Sequence, residues 1–109
     1  MTKLAIRLDP RRLDNPDTDI RYLLPDLLAE RSAGVLSDDG YDYVGPEPFL
    51  VLFLKASEIE PALNCAIEVI EQVRLLNNDL RPATVVAVER DGRQEVVYPP
   101  NFVGPFLPE

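Results

Sequence analysis

Histidine and tryptophan are absent from the 109 residues, and cysteine and methionine occur once each. Histidine is the commonest general base near neutral pH and the commonest metal ligand, so its absence excludes Ser-His and Cys-His catalysis. A single thiol, Cys65, can neither close a disulfide within the chain nor complete a zinc site of cysteine and imidazole ligands. Its position in a helical pattern indicates a small buried apolar residue instead.

Long apolar runs are also missing. No stretch approaches the roughly 18 consecutive apolar residues that a membrane-spanning helix needs, and residues 1–7 carry no apolar segment typical of a secretory signal. Together with the single cysteine, these absences predict a cytoplasmic protein. The five glycines are scattered among predicted turns, so we expect no glycine-rich phosphate loop and no cofactor.

The charge balance is strongly acidic. Nineteen Asp and Glu residues stand against eleven Lys and Arg residues, giving a formal charge of -8. This charge repels phosphate backbones and anionic membranes, so we expect neither nucleic acid nor a membrane as partner. Hydrophobic residues make up 46% of the chain, enough for the core of one domain. We expect a single α+β domain at residues 1–98 and a proline-rich irregular C-terminal tail at 99–109.

Hydrophobic periodicity predicts strands and helices in alternation. The predicted strands are residues 3–9, 35–44, 48–56, 83–90 and 93–98, with the last two joined by a hairpin turn at Asp91-Gly92. A first helix is expected from near Pro16 to Gly34. A second helix is expected from Ser57 to the polar break at residues 77–79.

The starts of the two helices are ambiguous. Pro25 lacks an amide proton and collides with the preceding turn, so either the first helix kinks there or it begins at Pro25 after a loop. Ser57 and Glu60 have the spacing of a capping box that opens the second helix, although Pro61 also suits a start a few residues later. The core-facing stripe of the second helix is predicted to be Ile59, Leu63, Ala66, Ile70 and Val73, with Cys65 and Val69 at its flank.

This order of elements predicts a ferredoxin-like split β-α-β sandwich, βαββαβ plus an extra C-terminal hairpin strand, in which an antiparallel sheet carries two helices on one face. The predicted strands 48–56 and 83–90 are apolar on both alternating faces, so the other face of the sheet needs a cover. Either the aromatic tail with Phe102 and Phe106 folds over that face, or a second copy packs there as a homodimer.

Nearly all of the excess negative charge lies in the middle third of the chain. Residues 35–72 hold eight carboxylates against Lys55 alone. Tyrosines interleaved with carboxylates are typical of interfaces, because a tyrosine buries a large area at little cost in rotamer entropy. We therefore predict a partner-binding site formed by Asp38, Asp39, Tyr41, Asp42, Tyr43 and Glu47. The alternative is that the two tyrosines cap the sheet edge or contact the tail. The spacing does not reproduce a calcium loop, so no metal site is predicted.

Four segments carry a resemblance: Leu8-Asp9-Pro10, Asn15-Pro16-Asp17 to Leu28, Asp38-Asp39-Gly40-Tyr41-Asp42-Tyr43 and Val97-Tyr98-Pro99-Pro100. They resemble small acidic bacterial proteins with this order of strands and helices, some of which look like immunity proteins encoded beside secreted polymorphic toxins. The resemblance spans most of the chain and includes no catalytic signature. It implies a cytoplasmic inhibitor that occludes the active site of a cognate toxin.

Two functional hypotheses follow. The first is a non-catalytic protein that docks its acidic, tyrosine-bearing surface on a protein partner with a basic surface, the cognate toxin. The second is a homodimeric ligand-sensing or assembly domain of the ferredoxin-like type. We do not expect an enzyme. Arg7, Arg11, Arg12 and Arg21 gather near the N-terminus and could receive an anion, but neighbouring carboxylates favour surface ion pairs.

Overall fold

The computed structural model describes residues 2–46, 48–104 and 106. Within these residues the chain forms two α-helices and seven strands, with one-turn 3-10 helices at Pro10–Arg12 and Arg81–Ala83. In chain order the elements are β1 (Thr2–Leu8), α1 (Ile20–Arg31), β2 (Leu36–Val44), β3 (Phe49–Ala56), α2 (Ile59–Gln72), β4 (Arg74–Leu75), β5 (Asn78–Asp79), β6 (Thr84–Arg90) and β7 (Arg93–Tyr98).

Five of the strands form one sheet in the order β2-β3-β1-β6-β7, and every neighbouring pair is antiparallel. The short strands β4 and β5 pair separately as a hairpin. The predicted α+β class is therefore confirmed, and the sheet with its two helices is compatible with a ferredoxin-like sandwich. The strands that were predicted to be apolar on both faces, β3 and β6, lie inside the sheet as expected.

Both helices pack on one face of the sheet. The alternation of β1 sends Leu4, Ile6 and Leu8 to this face, and all three are at most 1% exposed. Side chains from β3, β6 and the two helices complete this helix-side core, including Leu24, Leu28, Leu50, Leu52, Leu54, Ala62, Ala66, Val69, Ile70, Val86 and Val88.

The opposite face carries a second, smaller core. Ala5, Val51, Val85 and Ala87 form it, and Phe106 of the C-terminal tail packs on them at 6% exposure. Of the two predicted covers for this face, the structure shows the tail. We call this the tail side of the sheet. The described residues of the predicted irregular tail form no helix or strand, and Phe102 is also packed against this core.

The chain leaves β1 one residue earlier than predicted and enters α1 later than predicted. Asp9 ends β1 because its carboxylate accepts the backbone N–H of Arg11 at 3.1 Å and so caps the turn at Pro10–Arg12. The first helix begins at Ile20 rather than near Pro16, after a turn in which the backbone carbonyl of Asp17 accepts the N–H of Ile20 at 3.2 Å.

Pro25 lies inside α1, so the alternative in which the first helix begins at Pro25 is wrong. A proline in a helix interior removes one hydrogen bond and costs about 3 kcal/mol. Pro25 is buried next to Leu24 and Leu28, and the burial of this apolar face offsets the missing bond.

The predicted capping box of α2 is also wrong. The residue before the helix is Glu58, in extended conformation, and no side chain caps the helix start. The buried positions are Ala62, Ala66, Val69 and Ile70, whereas Val73 lies beyond the helix end. The helix stops earlier than predicted, at Gln72, because Val73 is already extended and the chain continues into the β4–β5 hairpin, which turns at Leu76 and Asn77 with positive φ.

Truncation of Phe106 tests the role of the tail as a cover. We expect Phe106→Ala to lower the free energy of unfolding by about 3 kcal/mol, because it opens a cavity over the tail-side core. Val103 is 91% exposed in the same tail, so Val103→Ala should change stability by less than about 0.5 kcal/mol. Urea denaturation of the full chain measures both values. Equal stability of the two variants would contradict a packed tail.

Candidate functional site

Strand β2 forms one edge of the sheet and supplies most of the predicted site. Its first residue, Leu36, is fully buried, whereas residues 37–43 are all exposed. The cause lies in the sequence, since Ser-Asp-Asp-Gly-Tyr-Asp-Tyr offers no aliphatic side chain to the core. One row of its backbone groups faces away from β3, as in any edge strand.

A bulge at Gly40 sets the direction of the side chains. Asp38 pairs with Leu54 and Tyr41 pairs with Leu52, so three steps along β2 oppose two steps along β3. Gly40 has φ +101, a conformation that favours glycine, and its N–H donates to the Asp38 carboxylate at 2.9 Å. The extra residue places Asp38 and Tyr41 on the same side of the sheet.

Three tyrosines stack at this edge on the helix side. The ring centroids of Tyr22 and Tyr41 are 6.0 Å apart at 90°, and those of Tyr41 and Tyr43 are 6.0 Å apart at 81°. These edge-to-face contacts are a preferred geometry for aromatic pairs. We call Tyr22, Tyr41 and Tyr43 the tyrosine stack; its members are 49%, 42% and 41% exposed, respectively.

The guanidinium group of Arg21 packs over two rings of the stack. Its guanidinium carbon lies 4.6 Å from the ring centroid of Tyr22 and 5.5 Å from that of Tyr41. A hydrogen bond from Arg21 lowers the pKa of Tyr22, and the bond between Tyr22 and Tyr41 raises the pKa of Tyr41. The cation therefore stabilises the phenolate form of the first ring.

The predicted carboxylates do not form one patch. Asp38 lies on the helix side with the tyrosine stack, while the pairing of Asp42 with Val51 places Asp42 on the tail side. Asp39 forms an ion pair with Lys55 at 3.5 Å. Glu47 lies outside the described residues. Of the predicted set, the structure therefore brings together Asp38, Tyr41 and Tyr43.

Apolar grooves flank the stack. Three prolines and Arg11 line a groove of about 450 Å³ against Tyr43; the prolines are Pro10, Pro46 and Pro48. On its other side Tyr43 lines a smaller pocket of about 110 Å³ together with Leu13 and Pro16. Both openings can receive an apolar side chain next to an exposed aromatic ring.

Sequence reasoning missed Tyr22 and assigned Arg21 to surface ion pairs. Tyr22 lies outside the apolar stripe of α1. An aromatic residue in that position is the feature of the sequence that could have indicated a surface role for Tyr22. Its packing on Tyr41 depends on the bulge, which the sequence pattern did not predict.

Cys65, half-buried on α2, has a raised pKa because burial disfavours the thiolate. This shift opposes a nucleophilic role.

The coupling between Arg21 and the stack is testable by tyrosine titration. In Arg21→Gln, we expect the first tyrosine ionisation to move to higher pH, because the variant removes the cation that lowers the pKa of Tyr22. The ultraviolet absorbance of tyrosinate measures the titration. Arg31→Gln, on the last turn of the same helix, is the control and should leave the curve unchanged. An identical curve in Arg21→Gln would refute the coupling.

Among residues 2–46, 48–104 and 106, no group of three or more Cys, Asp or Glu side chains is placed to hold a metal ion. Neither helix of the described chain combines the length and apolar content needed to cross a membrane. No family model matches the chain, and no curated protein or solved structure matches it significantly.

Proposed function

We propose that the protein is a non-catalytic binding module that docks on a protein partner through the tyrosine stack and the edge strand β2. The observation that carries this proposal is the stack itself. Three exposed tyrosines pack against one another, at 6.0 Å between neighbouring centroids, rather than into the core. Such a surface exposes large apolar area to water and gains most when a partner covers it.

The stack is held in place before binding. Each ring contacts another ring, and Arg21 packs over two of them. Association immobilises fewer rotamers when the side chains are already ordered, so more of the contact energy remains as affinity. Tyrosine and arginine are also enriched among the residues that dominate interface energies. The grooves beside Tyr43 supply the recesses in which a partner side chain is anchored.

The charge of the strand indicates the chemistry of the partner. Asp38 lies beside the stack, and Asp39 and Asp42 lie around the bulge on the other side of the same strand. A basic partner surface approaches this edge faster than a neutral one, because opposite charges steer the encounter. We infer a toxin that acts on nucleic acid or nucleotides, whose basic active site the acidic edge would occlude. This inference rests also on the resemblance to immunity proteins, and it places the protein in the bacterial cytoplasm.

The finer fold assignment is part of the same proposal. The order β2-β3-β1-β6, with both helices on one face, supports a ferredoxin-like sandwich to which β7 adds a fifth strand. The homodimeric sensing domain has less support. A second copy on the tail side would have to displace Phe106, which is 6% exposed there.

Truncating the stack should weaken binding strongly. We expect Tyr41→Ala to reduce affinity for the product of the neighbouring gene at least about 30-fold, the loss typical of an interface hot spot. Titration calorimetry measures the affinity, and inhibition of the toxin at one-to-one stoichiometry measures the function. Tyr98→Phe is the control, because Tyr98 lies on β7 at the opposite edge. Unchanged affinity in Tyr41→Ala would overturn the proposed docking surface.

Removing the carboxylates should act mainly on the association rate. The double variant Asp38→Asn and Asp42→Asn should associate more slowly, with a weaker dependence on salt, because it reduces long-range attraction. Stopped-flow measurements at several salt concentrations give the rates. The matched control is Asp91→Asn, since Asp91 has φ 52 and asparagine tolerates that conformation. The double variant removes two charges and the control one, so an equal effect per charge removed would show that only net charge matters.

A further inference from the structure

Four arginines surround a cavity of about 380 Å³ on the tail side of the sheet, away from the tyrosine stack. Arg7 comes from β1, Arg11 and Arg12 from the turn at Pro10–Arg12, and Arg81 from the turn at Arg81–Ala83. The two turns are joined because the N–H of Asp9 donates to the carbonyl of Ala83 at 2.8 Å. The fold therefore assembles in space a cationic cluster that is dispersed along the chain.

Few of the described carboxylates lie beside these arginines. Asp9 is the one acidic residue in the described lining; it bonds Arg11 at 3.1 Å and lies 3.8 Å from Arg12. Arg81 forms two hydrogen bonds to Asp79, at 3.0 and 2.9 Å. Among the described residues, the carboxylates that pair with these arginines are Asp9 and Asp79, and neither forms a salt bridge with Arg7, in a chain whose formal charge is -8. A cluster of arginines in an acidic protein marks a place where an anion is attracted.

Arg7 has unused hydrogen-bond donors inside the cavity wall. One terminal nitrogen, Nη1, donates to the carbonyl of Phe106 at 2.6 Å, whereas Nε is buried and has no partner among the described residues. The described chain also gives Arg7 no salt bridge. A guanidinium carries five N–H donors, and a buried N–H without a partner costs free energy. An anion in the cavity would supply that partner.

The remaining walls are apolar and aromatic. The guanidinium carbon of Arg7 lies 4.5 Å from the ring centroid of Phe49 and 5.2 Å from that of Phe102. Pro82 and Pro99 also line the cavity. Its volume falls in the range of about 300–1,000 Å³ that is usual for small-molecule sites, so it accommodates more than a bare anion.

We propose that this cavity binds a small phosphate monoester that carries an aromatic ring, with the phosphate on Arg7, Arg12 and Arg81 and the ring against Phe49 and Phe102. A phosphate is favoured over a carboxylate because it carries up to two negative charges and three acceptor oxygens, which several guanidinium groups can share. The cavity lies on the tail side of the sheet, whereas the tyrosine stack lies on the helix side. Arg11 lines both this cavity and the groove beside Tyr43, so the phosphate is assigned to the other three arginines.

Calorimetry with the full chain and three simple probes tests the proposal: phenyl phosphate, inorganic phosphate and benzoate. We expect phenyl phosphate to bind with a dissociation constant below about 1 mM and more tightly than either other probe. Equal binding of inorganic phosphate would exclude the ring subsite, and tighter binding of benzoate would exclude the phosphate preference. No binding of phenyl phosphate at millimolar concentration would overturn the site.

Two substitutions outside the core locate the phosphate. Arg12→Gln and Arg81→Gln should each weaken phenyl phosphate at least about tenfold, since each removes a charge-assisted contact. Both side chains are more than half exposed, so the fold should survive. Arg93→Gln, at the far end of the β6–β7 hairpin, should leave binding unchanged; an equal loss there would show a nonspecific charge effect and overturn the site.

Amide chemical shifts separate this site from the docking surface. Phenyl phosphate should shift the amides of Arg7, Ala83 and Phe102 and leave those of Asp38 and Gly40 unchanged. The reverse pattern would contradict the proposal. Because Tyr41→Ala does not touch the cavity, it should retain phenyl phosphate binding even if the docking proposal fails.

Discussion

Burial of the central strands on both faces is the constraint from which the architecture follows. Leu4, Ile6 and Leu8 of β1 face the helices, while Ala5 and Arg7 face the tail. A strand that is apolar on both sides cannot remain stable with one side in water. The two helices cover one face of the sheet, and the C-terminal tail covers the other. Phe106 packs on that second face, and its backbone carbonyl accepts a hydrogen bond from Arg7. Exposed surface suited to a partner is therefore found at the edges, and β2 is one of them.

The edge strand β2 can be polar because its side chains after Leu36 are not buried in the helix-side core. The packing of that core therefore does not determine which residues occupy positions 41 and 43. The bulge at Gly40 then decides which face the two tyrosines occupy. Without the extra residue, the side-chain period of two would place Tyr41 opposite to Asp38. The same bulge protects the edge from pairing with another strand around residues 38–41, which favours recognition by side chains.

Local patterns predicted the strands well, because alternation is visible within each segment. The bounds of β7 were predicted at 93–98, and the Asp91-Gly92 turn has the positive φ values expected of it. The start of α1 and the end of α2 were less accessible, since both are set by turns whose hydrogen bonds compete with helix formation. The tyrosine stack was only half predicted: Tyr41 and Tyr43 share a strand, but Tyr22 joins them through the packing of α1. Arg81 was not associated with Arg7 because about seventy residues separate them in the sequence.

Acidic and basic side chains are concentrated in different parts of the fold, although the chain as a whole has a formal charge of -8. Carboxylates dominate the middle third, which includes the β2 edge, whereas Arg7, Arg11, Arg12 and Arg81 meet on the tail side where β1 ends and β6 begins. Adjacent Asp9 and Asp79 hold three of these arginines in position. Ion pairs at partly exposed sites contribute little to stability, so these pairs matter mainly because they orient the arginine side chains.

Arg7 differs from the other three arginines because the tail covers it. Packing of the tail on the sheet thus buries the tail-side core and also partly desolvates the Arg7 guanidinium, which links the stability of the fold to the proposed anion site.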